Sequence, residues 1–286
     1  MSKNPLIKKA SGESQAFSAE KLKHSLFRSG APEEIIDEIV THINDWITEE
    51  YKREDRAIPS KQIYSKAFGL LRKKTVSNAA RYKLKNAIME MGPTGYPFEY
   101  FVGEIYSIMG YDVKVSQILQ GACVSHEVDV LATKGNHQRF IECKYYQSKG
   151  KTANVKVPLY IDSRVRDIIT NRKTLQEYKD FTFSGGVVTN TRFSTDAEEY
   201  GKCAELHLLS WDFPKGNGLK DIIDREKIFP ITSLSSLNKT DKQKLMEEGI
   251  VVCRQIVRDS SKIDLLDLKP QKRKRVLEEI RDLCDN

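Results

Sequence analysis

Two hydrophobic periodicities divide the chain. Up to about residue 90, apolar positions follow the three-four spacing of amphipathic helices, and the pattern predicts a short hairpin over residues 5–17 followed by four helices. The clearest of these helices has an apolar stripe formed by Ile35, Ile36, Ile39, Val40, Ile43, Trp46 and Ile47. From about residue 111, apolar and polar residues alternate in short runs, which predicts strands. We therefore expect a mostly helical N-terminal unit followed by a mixed α/β unit.

The order of elements in the second unit indicates its architecture. Gly92-Pro93-Thr94-Gly95 marks a linker, and a helix with a proline in its first turn follows it. Next come a strand over residues 111–119, a β-hairpin, a helix, a strand over 185–190, a short helix and a strand over 206–211. Strands and helices in this order predict a mixed-sheet α/β sandwich.

The β-hairpin carries the candidate functional residues. Side chains repeat with period two along a strand, so Glu127 and Asp129 share one face of its first strand, and Glu142 and Lys144 share one face of its second. His126 alternates with Asp129 in the same strand and is expected to pack or to hydrogen-bond instead. Exposed strand charges need no function, but these acids lie inside apolar strands, where an unpaired carboxylate is costly.

Around this hairpin the chain resembles the PD-(D/E)xK nucleases. Asp129 and Glu142-x-Lys144 reproduce their signature. More narrowly, residues 92–212 resemble the Mrr-type restriction endonuclease domain through Phe98-Glu99, Gly110-Tyr111, His126-Glu-Val-Asp129, Glu142-Cys-Lys144 and Val187-Val-Thr-Asn190. The resemblance implies a mixed-sheet α/β/α core and hydrolysis of DNA phosphodiester bonds.

Phosphodiester hydrolysis builds negative charge on the phosphate, which a carboxylate-bound Mg²⁺ or Mn²⁺ neutralises. We expect Asp129 and Glu142 to bind the metal together with the backbone carbonyl of Cys143, whose thiol should point to the other face. Lys144 should stay protonated and orient water or stabilise the developing charge. Glu99, on the preceding helix, either completes the site or is a solvated acid, and Glu104 lies on another part of that helix face.

The first unit resembles the ATP-cone, a regulatory nucleotide-binding module, over about residues 3–90. The matching pieces are Leu6-Ile7-Lys8-Lys9, Gly12, Phe17, Glu20-Lys21-Leu22, Ile58-Pro59-Ser60 and Arg81-Tyr82. The resemblance implies that Lys8, Lys9 and Lys21 bind the phosphates of ATP or dATP. The chain departs from the family pattern at Ala10-Ser11, where the turn is one residue longer. Without the resemblance, these lysines would be read as solvated charges.

Charge and cysteine content refine the picture. The formal net charge is +7 and the pI is about 9.0, which favours a polyanionic partner only weakly. A basic loop with Lys149, Lys151 and Lys156 leads into a helix, and Gln147 could help to position a phosphate. The basic face of this helix either contacts phosphates of double-stranded DNA or is simply solvated; it consists of Arg164, Arg166, Arg172 and Lys173. The five cysteines form no CxxC pair, which argues against a disulfide framework. No apolar run is long enough to span a membrane, so we expect a cytoplasmic protein with no membrane partner.

The tail contains short helices around Gly249 and the basic run Lys272-Arg-Lys-Arg275. It resembles a helix-hairpin-helix or SAM-like unit, which would grip the DNA backbone. Docking on the nuclease domain or a contact between subunits explains the segment equally well.

These inferences divide the chain into a regulatory domain (residues 1–90), a nuclease domain (91–212) and a C-terminal DNA-binding or oligomerisation unit (213–286). The leading hypothesis is a nucleotide-regulated, Mg²⁺-dependent DNA endonuclease of a restriction or defence system, assembling as a homo-oligomer. The alternative is an ATP- or dATP-responsive DNA-binding regulator whose nuclease fold is not catalytic.

Overall fold

A computed structural model describes residues 5–9, 12–148 and 150–285. The chain divides into two compact units, residues 5–84 and 85–285. The second unit holds both the segment predicted as a nuclease domain and the C-terminal segment. The three domain boundaries drawn from the sequence remain a prediction.

The first unit combines a small sheet with helices. Its elements are β1 (Leu6–Lys8), β2 (Ser14–Ala16), α1 (Ala19–Phe27), α2 (Glu33–Glu54), β3 (Ile58–Pro59), α3 (Ser60–Lys74) and α4 (Val76–Met89), which runs past the end of the unit. Strand β1 pairs antiparallel with β2 and parallel with β3. The predicted hairpin and four helices are confirmed, and Ala10 and Ser11 of the hairpin turn lie outside the described residues.

The periodic pattern of the first unit predicted its core well. Ile36, Ile39, Ile43 and Ile47 of α2 are fully or almost fully buried, whereas the stripe residues Ile35, Val40 and Trp46 are only partly buried at its margins. Ser18 caps α1, because its hydroxyl accepts the backbone N–H of Lys21.

The second unit begins with α5 (Tyr96–Ile108), β4 (Asp112–Gln120), β5 (Ser125–Lys134), β6 (His137–Lys144), β7 (Thr152–Ala153) and α6 (Lys156–Arg172). It continues with β8 (Thr182–Thr189), β9 (Arg192–Phe193), α7 (Thr195–Cys203) and β10 (His207–Leu209). The last helices are α8 (Leu219–Glu226), α9 (Lys239–Glu247), α10 (Cys253–Arg258) and α11 (Pro270–Asp285). The predicted order of helices and strands is confirmed, with a short parallel β7–β9 pair added.

The main sheet has five strands in the order β10-β8-β6-β5-β4. Strand β5 pairs antiparallel with β4 and β6, while β6, β8 and β10 run parallel. Strand β6 therefore has a neighbour on each side, and helix α6 packs over it: Ile161, Val165 and Ile168 share a buried cluster with Phe140 of β6 and Val187 of β8. In the first turn of α6, the apolar residue Leu159 is exposed.

The sheet is irregular beside Asp129. The β4–β5 register runs through Val115↔Val130 and Gln117↔Val128 and omits Ser116, whose φ of 53° is rare for a residue with a side chain. The β5–β6 ladder ends at Val130↔Ile141. Asp129 therefore lies just beyond the regular pairing, where its carboxylate can take a backbone donor from the neighbouring strand.

The C-terminal segment has its own polar framework. The buried carboxylate of Glu279 on α11 accepts the backbone N–H groups and hydroxyls of Ser235 and Ser236. In the basic run, Lys272 pairs with Asp241 at 2.6 Å and Arg273 with Asp264 at 2.9 Å. Two of the four cations of this run thus form contacts within the segment, while Lys274 and Arg275 are exposed. Within the described residues, no helix is long and apolar enough to cross a bilayer.

Gly185 on β8 should be essential for the packing of α6. A Cβ added there would lie 2.7 Å from Leu206 Cδ2 and 2.9 Å from Val165 Cγ2, both closer than van der Waals contact. We expect Gly185→Ala to lower the free energy of unfolding by about 1–3 kcal/mol, because the buried methyl overpacks the core.

The measurement is urea denaturation followed by circular dichroism. Gly150→Ala is the matched control in the same unit, since its added methyl meets nothing within 4 Å, and it should change stability by less than about 0.5 kcal/mol. Equal effects of the two substitutions would contradict the packing argument.

Candidate active site

Glu142 is the most heavily bonded residue at the end of β6. Its Oε1 accepts from Lys144 Nζ at 2.5 Å and from the Tyr160 hydroxyl at 2.8 Å, and its Oε2 accepts from Arg164 Nη1 at 2.7 Å. The side chain is only 8% exposed. Because a buried carboxylate is costly without partners, these three donors offset the cost of burying Glu142.

Asp129 lies next to this cluster on β5. Its Oδ2 accepts the backbone N–H of Cys143 at 2.6 Å. Burial raises the pKa of Asp129 to about 7, and the nearby negative charge of Glu142 adds to the rise, while the Cys143 N–H opposes it. Near neutral pH this carboxyl is therefore poised between its two forms, as is common at functional sites.

Lys144 is the cation of the predicted signature. Burial by itself would lower its pKa, but hydrogen bonds with Glu142 and Tyr160 outweigh burial and raise the pKa above its usual value. Its backbone carbonyl accepts the Thr189 hydroxyl at 2.7 Å, which fixes the end of β6 against β8. Lys144 is therefore a protonated residue at neutral pH, as expected, and not a base.

Glu99 reaches the same region from α5. Ser116 Oγ donates to its Oε2 at 3.3 Å, so the residue with the unusual φ in β4 holds this carboxylate. Burial raises the pKa of Glu99, and the charges of Glu127 and Glu142 raise it further. The acids thus influence one another electrostatically. Even so, among the residues that the structure describes, no three His, Cys, Asp or Glu side chains are grouped as a ready metal site.

The neighbouring residues lie where the alternation placed them. The Cys143 thiol is fully buried, and burial raises its pKa well above the usual value, so the thiol is neutral and not a metal ligand. His126 bonds Asp167 Oδ2 at 2.7 Å, which lowers the pKa of that carboxyl to about 2. Glu104 points to α10, where it pairs with Arg258 at 3.5 Å.

Several side chains that were predicted to contact or position phosphates have partners within the chain. Gln147 Nε2 donates to the carbonyl of Pro93 at 2.7 Å. On α6, Arg166 pairs with Asp162 at 2.9 Å, and the Arg172 guanidinium lies 4.1 Å from the centre of the Tyr178 ring. Lys149 of the basic loop lies outside the described residues.

Sequence reasoning missed Tyr160 and gave Arg164 only a DNA-contacting role. The two residues are four positions apart on α6, so they share one helix face, and both reach Glu142. That spacing was a usable signal, but nothing local indicated which face of α6 would meet β6.

The lysines predicted to bind a nucleotide all lie in the first unit. Lys8 is at the end of β1, Lys9 follows it and pairs with Glu13 at 3.0 Å, and Lys21 is in the first turn of α1. Lys8 and Lys21 are exposed. Each therefore lies near a strand end or a helix start, where anions commonly bind.

Two family models match the second unit. Residues 91–212 match a restriction endonuclease family, and residues 229–284 match the family described as AF1548-like, C-terminal. The predicted Mrr-type domain is thereby confirmed, and the tail carries an AF1548-like C-terminal domain; its likeness to a helix-hairpin-helix unit stays a prediction. A restriction endonuclease domain indicates a nuclease and hence a hydrolase.

Two related proteins cover much of the chain. An uncharacterized protein from Archaeoglobus fulgidus is 30% identical over 171 residues, which are 59% of this chain and 92% of that protein. The chain belongs to the same family as this archaeal protein. A crystal structure titled as a protein of unknown function, AF1548, matches with 27% identity and a TM-score of 0.54, over 67% of this chain and 99% of that one. The matches thus identify two domain types in this chain, and the titles of both relatives name no activity.

The raised pKa of Asp129 predicts how stability depends on pH. A carboxyl whose pKa is higher in the folded protein contributes stability below the unfolded value of about 4 and loses it as pH rises through about 7. Without divalent cations, Asp129→Asn should therefore be more stable than the wild type at pH 8, by on the order of 2 kcal/mol, and similar to it at pH 4.

Urea denaturation in a chelator at both pH values measures this difference. Asparagine keeps an oxygen that can accept the Cys143 N–H, so that hydrogen bond is preserved. If the free energy of unfolding changed with pH in the same way for both proteins, folding would not raise the pKa of Asp129.

Proposed function

We propose that the protein is a metal-dependent endonuclease that cleaves double-stranded DNA, regulated by an adenine nucleotide, in a restriction or defence system. The observation that carries the proposal is the meeting of Asp129, Glu142 and Lys144, inside a restriction endonuclease domain, where β5 stops pairing with the last residues of β6. Two acids and a lysine on adjacent strands are the groups that phosphodiester hydrolysis requires.

The chemistry of the acids fits a hard divalent cation. The charge of Glu142 helps to raise the pKa of Asp129, so a cation between them would relieve the repulsion. Asp129, Glu142 and the Cys143 carbonyl would hold Mg²⁺ or Mn²⁺, with Glu99 contributing from α5. The cation would supply positive charge against the negative charge that develops on the phosphate.

Lys144 acts as a fixed positive charge. It is protonated and held beside Glu142, so it stabilises the developing negative charge on a phosphate oxygen or orients the attacking water. The backbone N–H of Cys143 keeps the Asp129 carboxylate in one orientation.

The nucleotide-binding role is assigned to a regulatory domain over residues 1–90, with the nuclease domain over 91–212 and the remaining residues as a third unit. Its support is the resemblance to the ATP-cone together with the placement of Lys8, Lys9 and Lys21 at a strand end and a helix start. ATP or dATP binding would control nuclease activity by changing the assembly of homo-oligomers.

One observation favours the non-catalytic alternative. Glu142 accepts hydrogen bonds from Lys144, Tyr160 and Arg164, an arrangement that also suits an ion-pair network with no metal. In that case the protein would bind DNA in response to a nucleotide without cutting it.

Plasmid cleavage separates the two functions. With Mg²⁺ the wild type should nick or linearise supercoiled DNA, and Asp129→Ala should lower the rate at least about 100-fold, because an acid that would bind the cation is lost. Glu104→Ala is the matched control, since Glu104 pairs with Arg258 instead of the site. Cleavage that survives in Asp129→Ala, or no wild-type cleavage under any nucleotide condition, would remove the enzymatic proposal.

Calorimetry with ATP and dATP tests the regulatory domain. The double substitution Lys9→Ala and Lys21→Ala should weaken binding at least about 10-fold, because two charges facing the phosphates are lost. Lys73→Ala changes an exposed lysine on α3 and should leave affinity unchanged. The regulatory role is wrong if the wild type binds neither nucleotide or if the double variant binds as tightly.

A further inference from the structure

The carboxylate of Glu142 has donors on both of its oxygens. Oε1 is shared by Lys144 and Tyr160, and Oε2 accepts from Arg164. An oxygen that binds a divalent cation must direct a lone pair at it. Both lone pairs of Oε1 are taken and only Oε2 has one left, so a cation that reaches Glu142 comes up beside the positively charged Arg164 guanidinium, which it repels.

Arg164 is the donor best placed to move. Lys144 lies two residues after Glu142 on the same strand, and its carbonyl is fixed by Thr189. Arg164 instead reaches over from a different element, α6, with a long side chain. Its hydrogen bonds to Glu142 and to the Glu127 carbonyl both come from Nη1, and a guanidinium has two further nitrogens that carry N–H groups.

We propose that Arg164 is a phosphate-binding residue that stays bonded to Glu142 until Glu142 binds a metal ion. While the site is free of metal, Arg164 neutralises Glu142, and when Glu142 binds a divalent cation, Arg164 turns to a phosphate of the DNA. The inference rests on the proposed nuclease function and adds a specific exchange of partners to it. A guanidinium binds phosphate through paired N–H donors, and an arriving divalent cation repels it.

Tyr160 is the positioning residue of this exchange. It lies one helical turn before Arg164 on α6, and its ring centre is 5.4 Å from the guanidinium and 5.5 Å from Lys144 Nζ. The face of an aromatic ring attracts both cations, so Tyr160 keeps Arg164 close to the site when its bond to Glu142 is broken.

The exchange has an unusual consequence. Metal and Arg164 compete for Glu142, so removing the arginine should tighten metal binding in the absence of DNA. The same removal should weaken DNA binding, because a phosphate loses its donor. A purely structural role for Arg164 would weaken both, so the opposite signs distinguish the two cases.

Binding measurements on the full chain test the proposal. Mn²⁺ binding is measured by calorimetry without DNA, and binding of a labelled duplex is measured by fluorescence anisotropy with Ca²⁺ present. For Arg164→Gln we expect the Mn²⁺ dissociation constant to fall about 3- to 10-fold and the duplex dissociation constant to rise about 10-fold. Arg164→Lys keeps a cation beside Glu142, so its Mn²⁺ affinity should stay near the wild-type value.

Arg172→Gln is the matched control, because it removes an arginine from the same helix that stacks on Tyr178 and not on Glu142. It should leave Mn²⁺ affinity unchanged. The proposal is overturned if Arg164→Gln binds Mn²⁺ no more tightly than the wild type, or if Arg172→Gln tightens binding equally. A wild type that binds Mn²⁺ and cleaves DNA while Arg164→Gln leaves metal affinity unchanged rejects the exchange alone, whereas a wild type without Mn²⁺ binding rejects the nuclease as well.

Discussion

The burial of one charged carboxylate organises the second unit. Glu142 lies in β6, which has strands on both sides and α6 above it, and its side chain is almost completely removed from water. An ionised carboxylate in such a place costs several kcal/mol unless donors surround it. Lys144, Tyr160 and Arg164 are those donors, and two of the three come from α6. The position of α6 over the sheet is therefore tied to the charge at the centre of the site.

The same constraint links packing to chemistry. Helix α6 approaches the sheet closely because Gly185 presents no side chain to Val165. This approach brings one face of α6 onto Glu142, while the apolar residues of the helix fill the core between α6, β6 and β8. On the other side of the pair, Asp129 is left with a single backbone donor at the point where the β5–β6 ladder ends. Burial and then the nearby charge of Glu142 raise the pKa of Asp129 to about 7, and the one backbone donor opposes the rise only in part.

The comparison with relatives shows which parts of the chain have a counterpart. The related archaeal protein is covered over 92% of its length by 59% of this chain, so the match leaves a large part of this chain without a counterpart. A nuclease domain and an AF1548-like C-terminal domain lie in the compact second unit, and the first unit is a separate compact body.

The sequence by itself determined the order of elements and the chemistry of the hairpin. Amphipathic spacing and strand alternation are local properties, so α2, β5 and β6 could be predicted, as could a hydrogen-bonding or packing role for His126 and the burial of the Cys143 thiol. Only the tertiary structure decided which donors meet Glu142, where the β4–β5 pairing fails at Ser116, and that Lys272 and Arg273 pair with acids of their own segment. Those contacts join residues far apart in the chain. They depend on how a helix crosses a sheet, which no local pattern records.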